Sequence, residues 1–251
     1  MAACSQQGQQ PATDGGTNRF TPVVGPLAPV VGPLASVAGP LASVAERRRT
    51  AALAGHLGDL GAARAAAIDE CSDVRSVGFG ALARLGRFDA AVLRRALADP
   101  DPEVRRRGCE LAGELAGRGR RWRQPAVSHI VDTLADLDPL VAESAAWAVG
   151  EMGATVPAGA VEALATMAGS HRDARCREAA VAALGALGHA AGLGAVLGAL
   201  ADKPPVRRRA AVALAAFDAP EADAALRRCL ADRDWQVRQV AEVLLDQPPS
   251  D

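Results

Sequence analysis

The side chains able to do covalent or metal chemistry in this 251-residue chain are few and scattered. The four histidines, His56, His129, His171 and His189, lie in four separate stretches. Two of them follow a serine, as Ser128-His129 and Ser170-His171. Adjacent residues on a helix point about 100° apart, so Ser128 and His129 face different ways and make a poor nucleophile–base pair; Ser170-His171 falls in a turn. The five cysteines (Cys4, Cys71, Cys109, Cys176, Cys229) show no CxxC and no paired spacing. This argues against a zinc site and a disulfide framework alike. No GxxxxGK[ST] or GxGxxG motif is present to cradle phosphates. These residues predict no metal, no cofactor and no catalytic group, and they favour binding over catalysis.

A different chemistry is concentrated at residues 117–124, GRGRRWRQ, where Arg118, Arg120, Arg121 and Arg123 surround Trp122. Arginines interleaved with an aromatic can grip phosphates and stack on bases. The same stretch also reads as a solvated loop whose tryptophan docks on the next helix. The whole-chain charge favours the second reading: 28 basic against 29 acidic residues leave a net charge of −1, without the basic footprint of a nucleic-acid binder. Nearly every basic residue is Arg, Lys203 being the one lysine.

The elements that must position these groups are helical. Half the chain (49%) is apolar yet only 3% aromatic, and the apolar share is mostly Ala, Leu and Val. Ala and Leu are strong helix formers, and small side chains let helices approach closely. No run of 18 apolar residues offers a membrane span, and the N-terminus lacks the basic-then-apolar order of a signal peptide. With unpaired cysteines at apolar positions, the expected compartment is the cytoplasm. Residues 1–19 are polar and Gly/Gln-rich, and 24–45 repeat Gly-Pro-Leu-Ala in heptads whose prolines (Pro26, Pro33, Pro40) forbid continuous helix. Residues 1–45 are therefore expected to be a disordered tail or linker, or the product of a misassigned translation start.

From residue 46 a longer period takes over. An acidic or Pro-containing turn leads into Val-Arg, and apolar residues follow about 4, 8 and 11 positions on. The anchors are Val74, Val104, Val141, Cys176, Val206 and Val237, at gaps of 30, 37, 35, 30 and 31. A worn copy, ERRRTAALAGHLG, occupies 46–58. Between anchored segments lie second amphipathic stretches (89–99, 126–136, 221–232), so each unit is a helix pair. Asp101-Pro102 and Asp138-Pro139 supply N-caps with a first-turn proline, while Gly86, Gly153 and Gly188 stand where helices should stop. The period predicts an all-α, right-handed α-solenoid of six to seven pairs over 46–248.

These units resemble HEAT-like repeats of the short, phycobilisome-lyase type, over about 46–246. The resemblance implies that a turn Asp and the Arg after the anchor bridge successive repeats, as Asp101/Arg105, Asp173/Arg177 and Asp234/Arg238, with Arg75 and Arg207 carrying the arginine alone. Ala142 stands in the arginine position of the third repeat, so the ladder is expected to break there. Related proteins include scaffolds, bilin lyases, a metal-dependent deoxyhypusine hydroxylase and alkylpurine DNA glycosylases, so the repeat alone does not fix function. The hydroxylase holds iron with His-Glu pairs, and no His-Glu dipeptide exists here.

At 100° per residue, offsets 0, 4, 7, 8 and 11 from each anchor face the core, and +2, +6 and +9 point away. The resemblance puts these helices on the concave side. Offsets +2 and +6 read Arg106/Glu110, Glu143/Trp147, Glu178/Ala182, Arg208/Val212 and Gln239/Val243. Trp147 is the unusual one. It serves either as an anchor for a partner or as filler for the space left at Ala142. The expected site is Trp147 with Glu143, Arg106 and Glu110, used by a monomeric, non-enzymatic scaffold to bind another protein. The alternatives are a nucleic-acid-binding or glycosylase-like protein using the Arg loop and Trp147, and an accessory lyase.

Overall fold

The computed structural model describes residues 43–122, 124–153 and 156–246. Most of the Gly-Pro-Leu-Ala segment, with the rest of residues 1–42, lies outside them, as does Arg123. Among the described residues there are thirteen α-helices and no strand: α1 (Val44–Leu57), α2 (Leu60–Ala66), α3 (Ser72–Arg84), α4 (Ala90–Leu97), α5 (Pro102–Gly117), α6 (Gln124–Asp132), α7 (Pro139–Glu151), α8 (Ala158–Ser170), α9 (Ala174–Leu187), α10 (Leu193–Ala199), α11 (Pro204–Leu214), α12 (Pro220–Cys229) and α13 (Trp235–Leu245). The odd-numbered helices stack side by side in one layer, each touching the next, and the even-numbered helices cover its back. This is an α-solenoid. None of these helices is long and apolar enough to cross a membrane.

The boundaries follow local chemistry. Ser43 caps α1 in a reciprocal arrangement with Glu46, one helix turn before the polar worn repeat. Asp89, Asp101, Asp138, Asp173 and Asp234 each accept backbone N–H bonds at the start of the following helix. Gly86, Gly153 and Gly188 take positive φ angles where the helices end. All six anchors are buried, from Val74 to Val237. Val104, Cys176 and Val206 belong to a core continuous from α1 to α12, with Phe79, Phe88, Leu93, Ile130, Leu164, Leu184 and Leu214 fully enclosed, while Val74 and Val237 sit in smaller clusters near the two ends.

The anchored helices are more enveloped than one amphipathic stripe predicts. In α3 to α11 offset +5 is buried as well (Phe79, Cys109, Ala146, Val181, Ala211), because each of these helices is flanked on both sides and backed by its partner; in α13, flanked on one side, it is the exposed Glu242. Offset +9, expected to point to solvent, meets the next inner helix in α5, α7 and α9, while in α11 it is the exposed Ala215. A Cβ built on Gly150 would stand 3.1 Å from Ala183 Cα, and one on Gly185 2.7 Å from Ala213 Cβ. Glycine at these two positions is what lets the layer close.

The Arg–Asp ladder exists, but its acid is not the one the resemblance implied. Asp101, Asp173 and Asp234 are N-caps. The arginines clamp a different aspartate, two residues earlier in the turn of the following repeat: Arg75–Asp99 at 2.7 Å, Arg105–Asp136 at 2.7 Å, Arg177–Asp202 at 2.6 Å and Arg207–Asp232 at 2.9 Å. Arg75 and Arg207 are therefore paired, and the worn repeat keeps a rung as Arg47–Asp69. Each guanidinium uses Nε and Nη2 on its carboxylate, and from Arg75 onward its Nη1 donates to carbonyls of its own preceding turn. The arginines hold the carboxyls of Asp136, Asp202 and Asp232 below the usual carboxylate range.

The rung between α7 and α9 is absent, and both of its slots have changed. Ala142 replaces the arginine and is fully buried. His171 occupies the aspartate slot, where its Nδ1 accepts the Asp173 N–H at 3.1 Å, much as Asp136 Oδ1 accepts the Asp138 N–H. Arg172 reaches back instead and donates to the Leu137 carbonyl. That carbonyl corresponds to the Pro100 carbonyl served by Arg105 one repeat earlier.

Candidate functional site

The face of the odd-numbered layer away from the even-numbered helices carries the +2 and +6 side chains. Along offset +6, Trp147, Val212 and Val243 are 40%, 46% and 53% exposed, and Ala182 lies between the first two. These four residues form a discontinuous apolar stripe across α7, α9, α11 and α13.

The stripe deepens into an open groove of about 680 Å³ between α7 and α9. Glu143, Trp147 and Glu151 of α7 form one wall, and Ala182 and Ala186 of α9 lie opposite with Glu178. The groove exists because a tryptophan stands at +6 in α7 and alanines fill α9. Trp147 leans away from α9: a Cβ built on Gly113 of α5 would lie 2.4 Å from the indole Cζ3. One side of the ring is thus packed on a glycine, and the remainder borders the groove. Trp147 is thus half packed, against Gly113, and half exposed.

Charge in and around the groove is mostly committed. Arg175 pairs with Asp173 at 3.0 Å and Arg209 with Glu178 at 3.6 Å. The Arg175 guanidinium holds the Asp173 carboxyl down to about 2. Among the described residues, Glu143 and Glu151 have no hydrogen-bonded or ion-paired partner.

Of the four expected site residues, the structure brings Glu143 and Trp147 to the groove. Arg106 and Glu110 lie one helix away on α5, bonded to each other. Arg106 also pairs with Glu103 at 2.6 Å, and Arg107 bridges Glu110 and Glu114. Their charges are spent within α5. Ala182 was read on this face but left out of the expected site, and Glu151 and Ala186 were missed; reading +10 beside +2 and +6 would have found both.

The arginine loop is built around a docked ring. Trp122 Nε1 donates to the Ala112 carbonyl at 3.2 Å, and its ring meets Phe88 edge-on at 6.4 Å. The Arg120 guanidinium lies 4.5 Å above it. Arg118 and Arg121 are exposed. With its edge and one face occupied, Trp122 is poorly placed to stack on a base. Burial pushes the Cys109 thiol up to about 12 and that of Cys176 to about 11, so neither is a nucleophile at neutral pH.

A family model described as HEAT repeats matches in three overlapping stretches, residues 90–185, 127–213 and 161–246. Among solved structures, an engineered protein is similar with a TM-score of 0.52 at 19% identity, covering 73% of this chain and 94% of that one. Escherichia coli YibA gives 0.53 at 18%, covering 73% and 68%. A designed armadillo repeat protein, solved in complex with the peptide (KR)4, gives 0.50 at 16%, covering 82% and 99%. At such identities the likeness is one of fold. A search of curated proteins gives no match.

Proposed function

The chain belongs to the HEAT-repeat family, and from that premise we propose that it is a protein-binding scaffold whose partner lies along the exposed face of the odd-numbered layer, centred on the groove between α7 and α9. The observation that carries this reading is a tryptophan 40% exposed beside an alanine-lined groove, on a face whose other exposed apolar residues fall in the same register. Large aromatics at the centre of a surface depression are where interface energy concentrates. Solenoid faces are extended and take extended partners, and the designed armadillo neighbour holds a peptide. The nucleic-acid reading loses its main support, because Trp122 is docked and the ladder arginines from Arg47 to Arg207 are paired.

The test is site-specific photocrosslinking in cells, from Ala182 in the groove and from Ala224 on the other layer. The captured protein is then purified and titrated against wild type and Trp147→Ala. A groove-specific adduct whose affinity falls by roughly tenfold or more without the indole supports the scaffold. Folding stability should fall by only about 1–2 kcal/mol, below the roughly 3–5 kcal/mol expected for a fully enclosed tryptophan. Adducts from Ala224 alone, or an affinity indifferent to Trp147, would show that the partner lies elsewhere.

A further inference from the structure

We infer that the α7–α9 groove selects a partner segment by a cationic side chain, an arginine or lysine laid against Trp147 between Glu143 and Glu151. This rests on the scaffold reading and adds the chemistry of what is bound. The three α7 residues are four apart, so they lie one turn above another along one stripe of the helix. A tryptophan face attracts a cation within about 6 Å of its centroid, and here a carboxylate stands one turn to either side. Neither carboxylate has a hydrogen-bonded or ion-paired partner among the described residues, and Glu143 feels the Arg175 charge only at longer range. The cations nearby are already taken: Arg175 by Asp173, Arg209 by Glu178, Arg106 by Glu103 and Glu110, and Arg208 by Gln236. The opposite wall offers alanines, and the two arginines that border it, Arg175 and Arg209, are paired with Asp173 and Glu178. The groove is therefore the place on this face where the protein supplies an aromatic and two carboxylates but, among the described residues, lays no cation on the ring. A polyanion would meet the two carboxylates first, which argues against phosphate chains here.

The register of the face extends the requirement. Inner helices are about 8–10 Å apart, and an extended chain rises about 3.3 Å per residue. A segment running across the helices passes roughly three residues per helix. With its cation over Trp147, it sets a side chain over Val212 of α11 about six residues on. The fitting partner is an extended basic segment with an aliphatic residue at that spacing.

The probe is a fluorescent decapeptide of serine and glycine carrying one arginine and, six positions later, one leucine, titrated by anisotropy into the full chain. Its twin replaces arginine by citrulline, which keeps the shape and removes the charge. The arginine peptide should bind at least about tenfold more tightly than its twin, and its binding should weaken with salt. Trp147→Ala and the double variant Glu143→Gln/Glu151→Gln should each cost about tenfold, while Glu162→Gln/Asp223→Asn on the other layer should change nothing. Equal binding of the two peptides, or arginine-peptide binding indifferent to both groove variants, overturns the inference. If both peptides bind equally and both lose affinity in Trp147→Ala, or if only the photocrosslinked partner depends on Trp147, the cation preference falls and the scaffold stands. If that partner also ignores Trp147, both fall.

Discussion

Rebuilding the missing rung between α7 and α9 should stabilise the solenoid, and the gain can be estimated from its neighbour. In the Arg105–Asp136 rung the guanidinium makes two bonds to the carboxylate, at 2.7 and 2.9 Å, and two to backbone carbonyls, at 3.0 and 3.1 Å. The side chains are 18% and 11% exposed. Exposed pairs couple by at most about 1 kcal/mol, and breaking a fully buried pair costs about 3–5 kcal/mol. A bidentate pair at this partial exposure falls between, at about 2 kcal/mol. Ala142→Arg alone places a charge at a buried position and must displace Arg172 from the Leu137 carbonyl, at a cost of about 1–3 kcal/mol. His171→Asp alone keeps the turn, since either side chain accepts the Asp173 N–H, and should cost about 1 kcal/mol or less. The double variant should recover most of both losses. The assay is a double-mutant cycle by urea denaturation, with hydrogen exchange in α7 and α9 as a local readout because repeat arrays can unfold in stages. A coupling below about 0.5 kcal/mol would refute the idea that Ala142 and His171 occupy the ladder slots.

Three further outcomes follow from the same structure. Gly78→Ala should destabilise by about 2 kcal/mol or more, since its Cβ would sit 2.4 Å from the Ala67 nitrogen, whereas Gly80→Ala, with nothing nearer than 3.8 Å, should gain up to about 1 kcal/mol of helix propensity; chemical denaturation of both variants checks the contrast. Asp136, Asp202 and Asp232 have folded pKa values held below their unfolded ones, so their contribution is fully present above about pH 4 and is lost as pH falls through the folded values. An acid titration of the thermal midpoint should show this fall, and Arg105→Ala should shrink it. Iodoacetamide at pH 8 should modify half-exposed Cys71 well before Cys109 and Cys176, as mass spectrometry of partial digests would reveal, and equal rates would contradict the burial described.

The repeat was legible because its signal is redundant: a buried anchor recurs six times, each between a turn and a helix-length apolar pattern. Finer features were not, for a common reason. In turns such as Asp99-Pro100-Asp101 and Asp136-Leu137-Asp138, two identical carboxylates stand two residues apart. One caps a helix and the other clamps the previous repeat, and only the packed structure separates the roles. A usable sign was present, since the stretches 89–99, 126–136 and 221–232 all end on the clamping aspartate, five residues before the next anchor. Aligning on that position exposes His171 as the partner change to Ala142. The candidate site was half legible for a similar reason. Offsets within one helix identify Trp147 and Glu143 as outward-facing, but whether Trp147 leans toward α5 or α9 depends on Gly113, a residue on another helix.

The absent rung also has a mechanical meaning. Inner helices elsewhere in the stack are clasped at the N-terminal end by a two-pronged ionic clasp and, at several joints, pressed together further along by a glycine. Between α7 and α9 the ionic clasp is gone: single bonds from Arg172 to the Leu137 carbonyl and from the Cys176 thiol to the Pro139 carbonyl remain at that end, with Gly150 against Ala183 further along. This joint therefore rests on packing rather than on charge, and α7 and α9 lie against each other more extensively than any inner pair but α5 and α7. Salt and acid, which weaken the ionic clasps of the other joints, leave its hold nearly unchanged.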